Sequence, residues 1–542
     1  HAWGYHWFAR SLAAGQLPFH TDLVNHPAGG TLFFGDPVGA LLATPLVWIF
    51  GLVPGFSLGL ALQLVLAALA AYALALRWTG SRPAAFVGGT IFAFSSYALS
   101  CLHSGTTGYL VTAPVALYLL AAHQAIVRGG MRWMLAAAAA ATAATFAAPY
   151  YGLFSALMTL ILAGVLGVRR EVEVDALLRR CATLAALTAV GALPVLLLIR
   201  GALLADDALV SPASSPGWDQ ATLPRVDLLT FLAPWDHHFP DMGAEGNHGI
   251  LHANSLGWIT LALAAFAGLR VRAARGWWAG LGVYGLLMAG PQLTVAGHPL
   301  SLGSVPLYLP YAALCFPGSP LRSVHHPHRM VIWAMLLLGL LAAMGLARLL
   351  RERGPRASWA LAALAAGAIA VESLLLSPAR WPLPVTRLDP PARHAELAME
   401  ATGAVFDFPP GAVREARTYL LLATVHRRPT AYWVTSFLPV ELADNGLIQG
   451  MLARLDDPTS RRTTREGRVL TWPLTPDLPA DQAAVEDLSR HGFSHLLVHP
   501  ATMDPGETAA IRELLDAQLA PAAEWPDGTL EYALPPPSGE AP

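Results

Sequence analysis

Apolar residues run along this chain in ten long blocks, separated by connections of two alternating kinds. The blocks fall at 55–77, 83–102, 108–127, 132–148, 150–168, 181–200, 251–269, 276–293, 329–347 and 357–377. A membrane-crossing helix needs about 20 mostly apolar residues, with roughly 17 as a floor, so each block is a candidate span. Every second connection carries arginines: Arg77 and Arg82; Arg128 and Arg132; Arg169, Arg170, Arg179 and Arg180; Arg270, Arg272 and Arg275; Arg348, Arg351, Arg353 and Arg356. The others, at 103–108 and 148–152 and in the long loops 201–250 and 294–328, are nearly without them. Arginine-rich connections stay in the cytoplasm. The long loops, and everything after 378, therefore belong on the outer face.

Parity then constrains the opening of the chain. Residue 55 must start outside. The apolar segment 38–50 is too short for a crossing and reads as a half-embedded helix at the outer surface, so residues 1–36 lie outside too. On this reading a further span precedes His1. Residues 1–15 form an amphipathic surface helix, with Trp3, Tyr5, Trp7 and Phe8 at the membrane interface, where aromatic rings are favoured. The next stretch, "GQLPFHTDLVNHPAGGTLFFGDP", is a polar first outer loop holding His20, Asp22, His26 and Asp36.

The periodicity changes after residue 378. "AVFDFPP" (404–410) and "GFSHLLVHP" (492–500) read as short buried strands. Residues 479–492 and 504–519 read as helices, and 524–534 as a terminal hairpin. The expected fold class is a polytopic α-helical membrane protein with a C-terminal extracytoplasmic α/β domain. Its parts are a first outer loop (1–54), a transmembrane domain (55–377) and the outer domain (378–542). The expected location is the inner (plasma) membrane.

Composition agrees. The 542 residues are 54% hydrophobic and 13% charged, against about 25% charged in an average soluble chain. Mean hydropathy is +0.47. The net charge of −2 gives no reason to expect a nucleic-acid partner. Cys101, Cys181 and Cys315 lie far apart and form no metal or redox motif. Charge is nearly absent inside the spans, Glu372 lying near a span end. Ion-coupled transporters place charges near mid-membrane, so a transporter or flippase of lipid-linked material is the alternative rather than the leading reading. A non-catalytic scaffold with a glycan-binding outer domain is a second alternative.

The polar chemistry gathers on one membrane face. In "LRSVHHPHR", Arg322 and Arg329 with His325, His326 and His328 form a basic cluster just before a span. Guanidinium groups clamp phosphate through two parallel hydrogen bonds, so the cluster suits a lipid phosphate; contact with ordinary headgroups is the simpler reading. In "WDHHFPDMG", Asp236 and His237, followed by His238 and Asp241, could contact substrate or a divalent metal, but adjacent histidines in a loop have no defined ligand spacing. No cofactor is expected. Asp22 or Asp36 could serve as a general base. Equally, Asp36 before Pro37 could cap a helix, and "HTD" could be a turn. His20 and His26 share that loop, while His103, Tyr150 and Tyr151 lie in short turns on the same face. The small residues of "GSRPAAFVGG" suit close helix packing.

Taken together, the large first loop with its surface helices, the segment "LQLVLAALAAYALALRWTGSRPAAFVGGTIFAFSSY", the late stretch "GPQLTVAGHPLSLGSVPLYLPYAALCFPGSPLRSVHHPHRMVIW" and the C-terminal outer domain resemble the GT-C superfamily of membrane glycosyltransferases. The YfhO-like lipoteichoic-acid and related cell-surface glycosylation proteins are neighbours in that group. The resemblance implies an inverting transfer of sugar from a polyprenyl-phosphate donor to an envelope glycan, lipid or protein acceptor. It implies an Asp base soon after the first span, which leaves Asp22 and Asp36 as the first-loop carboxylates of this sequence. It also implies that Arg322 or Arg329 receives the departing phosphate.

Overall fold

The computed structural model describes residues 1–31, 36–204, 226–232, 254–296, 298–316, 319, 321, 324, 326–376, 390, 392–399, 403–409, 413–432, 440–442, 444–455, 464–465, 468–469 and 478–536. Helix α1 (Ala2–Ala13) is followed by the two-residue pair β1 (His20–Thr21) and β2 (Gly30–Thr31), then α2 (Pro37–Phe50). The membrane helices are α3 (Leu52–Thr79), α4 (Arg82–Ala93), α5 (Ser96–His103), α6 (Ala113–Arg128), α7 (Met131–Ala147), α8 (Pro149–Val168), α9 (Val174–Leu204), α10 (Trp258–Arg270) and α11 (Ala274–Met288). After the short α12 (Pro310–Leu314) come α13 (Val331–Leu350) and α14 (Pro355–Leu376).

Each apolar block contains one helical pass, with α4 and α5 sharing the second. That pass is broken at Phe94–Ser95, where the Ser95 hydroxyl accepts from Ala98 N and restarts the helix. Among the described residues, seven passes are long and apolar enough to cross a membrane. The other three, α7, α10 and α11, have 17, 13 and 15 residues. A 13-residue helix is about 20 Å long, short of a hydrocarbon core of about 30 Å, so α10 and α11 are shorter than their apolar blocks imply, while α7 meets the floor of about 17 residues. The reason is local. Blocks 251–269 and 276–293 include an irregular stretch (254–257) and the start of a strand, and apolarity alone does not separate these from helix.

Nearly every residue of α13 is buried, so this helix is the axis around which the others pack. Close approach depends on glycine. The first side-chain carbon of any residue placed at Gly88 would lie 2.9 Å from Gly339 O, and at Gly345 it would lie 2.3 Å from Leu263 O. The arginine-bearing connections meet at one end of the bundle. Arg180 donates to Ile126 O and Val127 O at the end of α6, and Trp78 packs edge-on against Trp277.

The long connection before α13 is not a plain loop. Strand β3 (Val226–Asp227) pairs in parallel with β4 (Leu293–Val295), which turns back as β5 (His298–Pro299); β6 (Ser301–Leu302) and β7 (Val305–Pro306) form a hairpin.

The tail begins with α15 (Ala392–Leu397), β8 (Ala404–Phe408), α16 (Val413–His426) and α17 (Gly446–Leu452). The pair β9 (Thr464–Arg465) and β10 (Arg468–Val469) comes after it, then α18 (Gln482–Arg490), β11 (Phe493–Val498), α19 (Pro505–Asp516), β12 (Ala523–Glu524) and β13 (Leu530–Ala533). The sheet order is β12-β13-β11-β8, with β8 and β11 parallel. β8, β11, α18, α19 and the β12–β13 pair sit where the sequence places them, because their turn and cap signals are strong; α15, α16, α17 and the β9–β10 pair have no such expectation. Asp481 caps α18 and an Asp504–Glu507 capping box starts α19.

The first loop docks on this tail. Asn25 N and His26 N donate to Tyr432 O and Thr430 O, Thr430 N donates back to Leu23 O, and Trp3 and Val24 pack with Leu420 and Ala423 of α16. His26 Nε2 lies 2.7 Å from His491 O, with its ring 5.0 Å from that of Phe493. Burial lowers the pKa of His26. Burial, with Arg10 and Arg427, brings His6 down to about 4. Docking therefore favours neutral imidazole, while the undocked histidines protonate near 6.5. The undocked state binds more protons, so docking is full above about pH 6.5 and weakens as pH falls from there toward about 4. Hydrogen exchange of residues 20–31 should be faster at about pH 5 than at about pH 7.5 after correction for intrinsic rates; equal protection contradicts this.

Candidate functional site

At the bundle end opposite the arginines, a single turn, Thr107–Tyr109, joins α5 to α6 and has a polar assembly on each side. On one side stands Asp36. It caps α2, its Oδ1 accepting from Gly39 N at 2.8 Å, with Pro37 opening the helix. Its Oδ2 accepts from Tyr5 OH at 2.8 Å, and Gln63 Nε2 donates to Tyr5 OH at 2.7 Å. This network ties α1, α2 and α3 together, and it leaves Gly39 no room for a side chain, the first carbon of which would lie 2.0 Å from Asp36 Oδ2. Burial holds the Asp36 carboxyl well above the usual range, opposed by the hydrogen bonds from Tyr5 and Gly39. Asp36 adjoins the turn: a first side-chain carbon at Gly108 would lie 3.4 Å from Asp36 Cβ.

On the other side stands Arg329, in the turn Pro327–Met330 that leads into α13. Its guanidinium lies 4.1 Å from the centroid of the Tyr109 ring and 5.3 Å from that of Tyr150. Tyr151 OH donates to Tyr109 O at 2.7 Å and lies 3.3 Å from Tyr97 OH, which pins the turn to α8 and α5. Among the described residues no carboxylate pairs with Arg329. Contacts to aromatic faces do not use the guanidinium's N–H donors, which stay available for an oxyanion such as phosphate.

An apolar groove of about 350 Å³ opens between α2, α3 and α6, with Val111, two positions after the turn, in its wall. Val38 and Leu42, Leu66 and Leu69, and Val111 and Leu117 line it, and Gln63 stands in its wall with Oε1 buried and unpartnered among the described residues. Leu69 and Leu117 are exposed, so the groove faces the surroundings of the bundle.

The predicted site residues thus divide. Asp36, Tyr150, Tyr151 and Arg329 converge on the Thr107–Tyr109 turn. His103 ends α5 four positions before it; His326 precedes the Arg329 turn and His328 lies within it, with rings 5.4 Å apart. His20 and Asp22 instead pair with each other at the surface, 3.3 Å apart, and His26 serves the docking of the tail. Asp236, His237, Arg322 and His325 lie outside the described residues. Glu372 is occupied structurally, accepting from Trp258 N and Ile259 N at the start of α10. Sequence reasoning missed Tyr5, Gln63, Tyr97 and Tyr109 as members of the site. Gln63 had a signal, being a lone amide in an apolar run; Tyr109 had none beyond its place at a span end.

The two first-loop carboxylates should respond differently to truncation. Asp36→Ala removes a cap and strands Tyr5 OH, at a cost of about 2–3 kcal/mol. Asp22→Ala, at an exposed pair, should stay within about 0.5 kcal/mol. Thermal unfolding of the purified chain checks both, and equal shifts contradict the assignment.

No protein-family model matches the chain, and no curated protein does. Solved structures do match. Arabinofuranosyltransferase AftD from Mycobacteria aligns with a TM-score of 0.53 at 15% identity, over 98% of this chain and 39% of that one. The oligosaccharyltransferase of Archaeoglobus fulgidus gives 0.48 at 13% identity, over 98% and 69%. ArnT from Cupriavidus metallidurans gives 0.43 at 16% identity, over 98% and 93%. At such identities the likeness is one of fold. The chain is a polytopic helical membrane protein with a GT-C-like fold and an α/β tail.

Proposed function

We propose that the chain is a membrane glycosyltransferase that takes a sugar from a polyprenyl-phosphate carrier and passes it to a cell-envelope acceptor on the outer face of the plasma membrane. The observation that carries this reading is the meeting of two chemistries at one turn. An apolar groove, suited to a hydrocarbon chain, is lined by Val111, Ala113 and Pro114, the residues that follow the Thr107–Tyr109 turn, and by Val38, which follows Asp36. A guanidinium with no carboxylate partner among the described residues, suited to a phosphate, stacks on the same turn. Together they describe a lipid phosphate. The fold shared with AftD supports the same class of reaction.

The residues then take these roles. Arg329 holds the phosphate and offsets the charge that grows on it as the glycosidic C–O bond breaks. The acceptor hydroxyl attacks the anomeric carbon from the opposite side, and a carboxylate takes its proton. Asp36, with both oxygens engaged, is a positioning residue for the turn; Asp22 is the solvent-accessible carboxylate of the first loop. The step needs no metal or redox cofactor for its atoms and charges to balance.

The test is transfer by the purified full chain in nanodiscs, given labelled polyprenyl-phosphate sugars and an envelope fraction. Label should move from lipid to acceptor. If vesicles containing the protein translocate the labelled lipid and no acceptor is labelled, the flippase reading replaces this one.

A further inference from the structure

One exposed surface has no part in the site described above. Residues 276–321 contain no Asp, Glu, Lys or Arg. Within that stretch, β6 and β7 form a hairpin turned at Gly303, which has a φ of +64°. The pairing is Leu302 with Val305 and Ser301 with Pro306, and Leu307 N donates to Leu300 O at 3.0 Å. Directly paired residues share a face and successive residues alternate. Leu300, Leu302, Val305 and Leu307 therefore stand on one face of the hairpin. They are 38%, 78%, 61% and 38% exposed. Phe316, a few residues on, is 61% exposed.

Four exposed aliphatic side chains on one face of a hairpin that carries no charge are a liability in water. Apolar patches of this kind mark contact with protein or membrane. The place of this one in the chain favours membrane. It comes twelve residues after α11 and precedes the Pro327–Leu350 span, so its base sits where the chain leaves and re-enters the bundle. It is held there by Leu293 N donating to Leu307 O and Leu300 N donating to Leu293 O. The connection after α11, 289–321, holds no Asp, Glu, Lys or Arg, which suits insertion at the acyl boundary, since each charged group there would cost desolvation.

We propose that the 300–307 hairpin inserts its Leu/Val face into the lipid leaflet at the arginine-poor end of the bundle. It thereby anchors the connection that leads into the Arg329 turn. This does not depend on the transferase reading.

The test places an environment-sensitive fluorophore at Leu302→Cys, Val305→Cys and, on the opposite face, Ser301→Cys, in the full chain reconstituted in phosphatidylcholine/phosphatidylglycerol nanodiscs. Unsubstituted protein corrects for labelling of native cysteines. Labels at 302 and 305 should be quenched by acyl-chain nitroxide lipids and should show iodide quenching several-fold below that at 301. Equal iodide quenching at all three positions overturns the proposal. So does protection of 302 and 305 from both iodide and the lipid quencher, which indicates a protein surface instead. A label at 301 that reports a folded, dispersed sample guards against a misfolded variant being read as either result.

Discussion

Replacing Arg329 by alanine is expected to lower sugar transfer by about 10²–10³-fold, the usual effect of removing a charged group that stabilises a departing oxyanion. The protein should stay folded, because Arg329 has no carboxylate partner among the described residues that the change would strand. Its contacts are the faces of Tyr109 and Tyr150. Arg329→Lys is the sharper variant. It keeps the charge but loses the planar fork and most of the stacking, so it should recover only a small part of the activity. Tyr109→Ala should behave similarly, since the ring under the guanidinium fixes its direction. Single-turnover transfer at saturating donor separates loss of the chemical step from loss of binding. If Arg329→Ala transfers at the wild-type rate, the phosphate site lies elsewhere.

The largest effect on folding is expected at Gly345. Its first side-chain carbon would meet the Leu263 carbonyl at 2.3 Å. Backbone is what stands in the way, so α10 and α13 must separate for any side chain to fit. Gly345→Ala should cost about 1–3 kcal/mol, and Gly345→Val should leave little folded protein. Gly88 and Gly339 face each other across α4 and α13 and should be nearly as intolerant. Gly282 and Gly285, in α11, have nothing within 4 Å of that position. Alanine there should be neutral or stabilising by up to about 1 kcal/mol, through helix propensity. Yield and thermal midpoint across these positions check the contrast. Equal losses at Gly345 and Gly285 contradict the packing account.

Much of the fold is legible in the amino-acid pattern alone. The passes sit within a few residues of the apolar blocks, because lipid and arginine placement constrain a membrane chain more tightly than packing does. The small residues near Gly88 and Gly89 do mark close helix packing. The tail is legible for another reason: Asp481, Asp504 and Glu507 write its helix starts directly into the sequence. Distant pairing is what the pattern does not reveal. Tyr5 lies 31 positions from Asp36 and 58 from Gln63, and no local signal announces that the three bond to one another. Asp36 as a helix cap was legible; its bond to Tyr5 was not. The β6–β7 hairpin was hidden in a stretch that reads as loop, since two-residue strands have no periodicity to detect.

The central claim is that a lipid phosphate binds with its head at Arg329 and its chain in the α2–α3–α6 groove. The most direct measurement is photo-crosslinking of the full chain in nanodiscs with a polyprenyl phosphate that carries a diazirine on its second isoprene unit. The account predicts labelled peptides from 52–79 and 113–128, with modification near Leu66, Leu69 or Leu117, and loss of labelling in Arg329→Ala. Labelling confined to α9 or α14, or undiminished in Arg329→Ala, contradicts it.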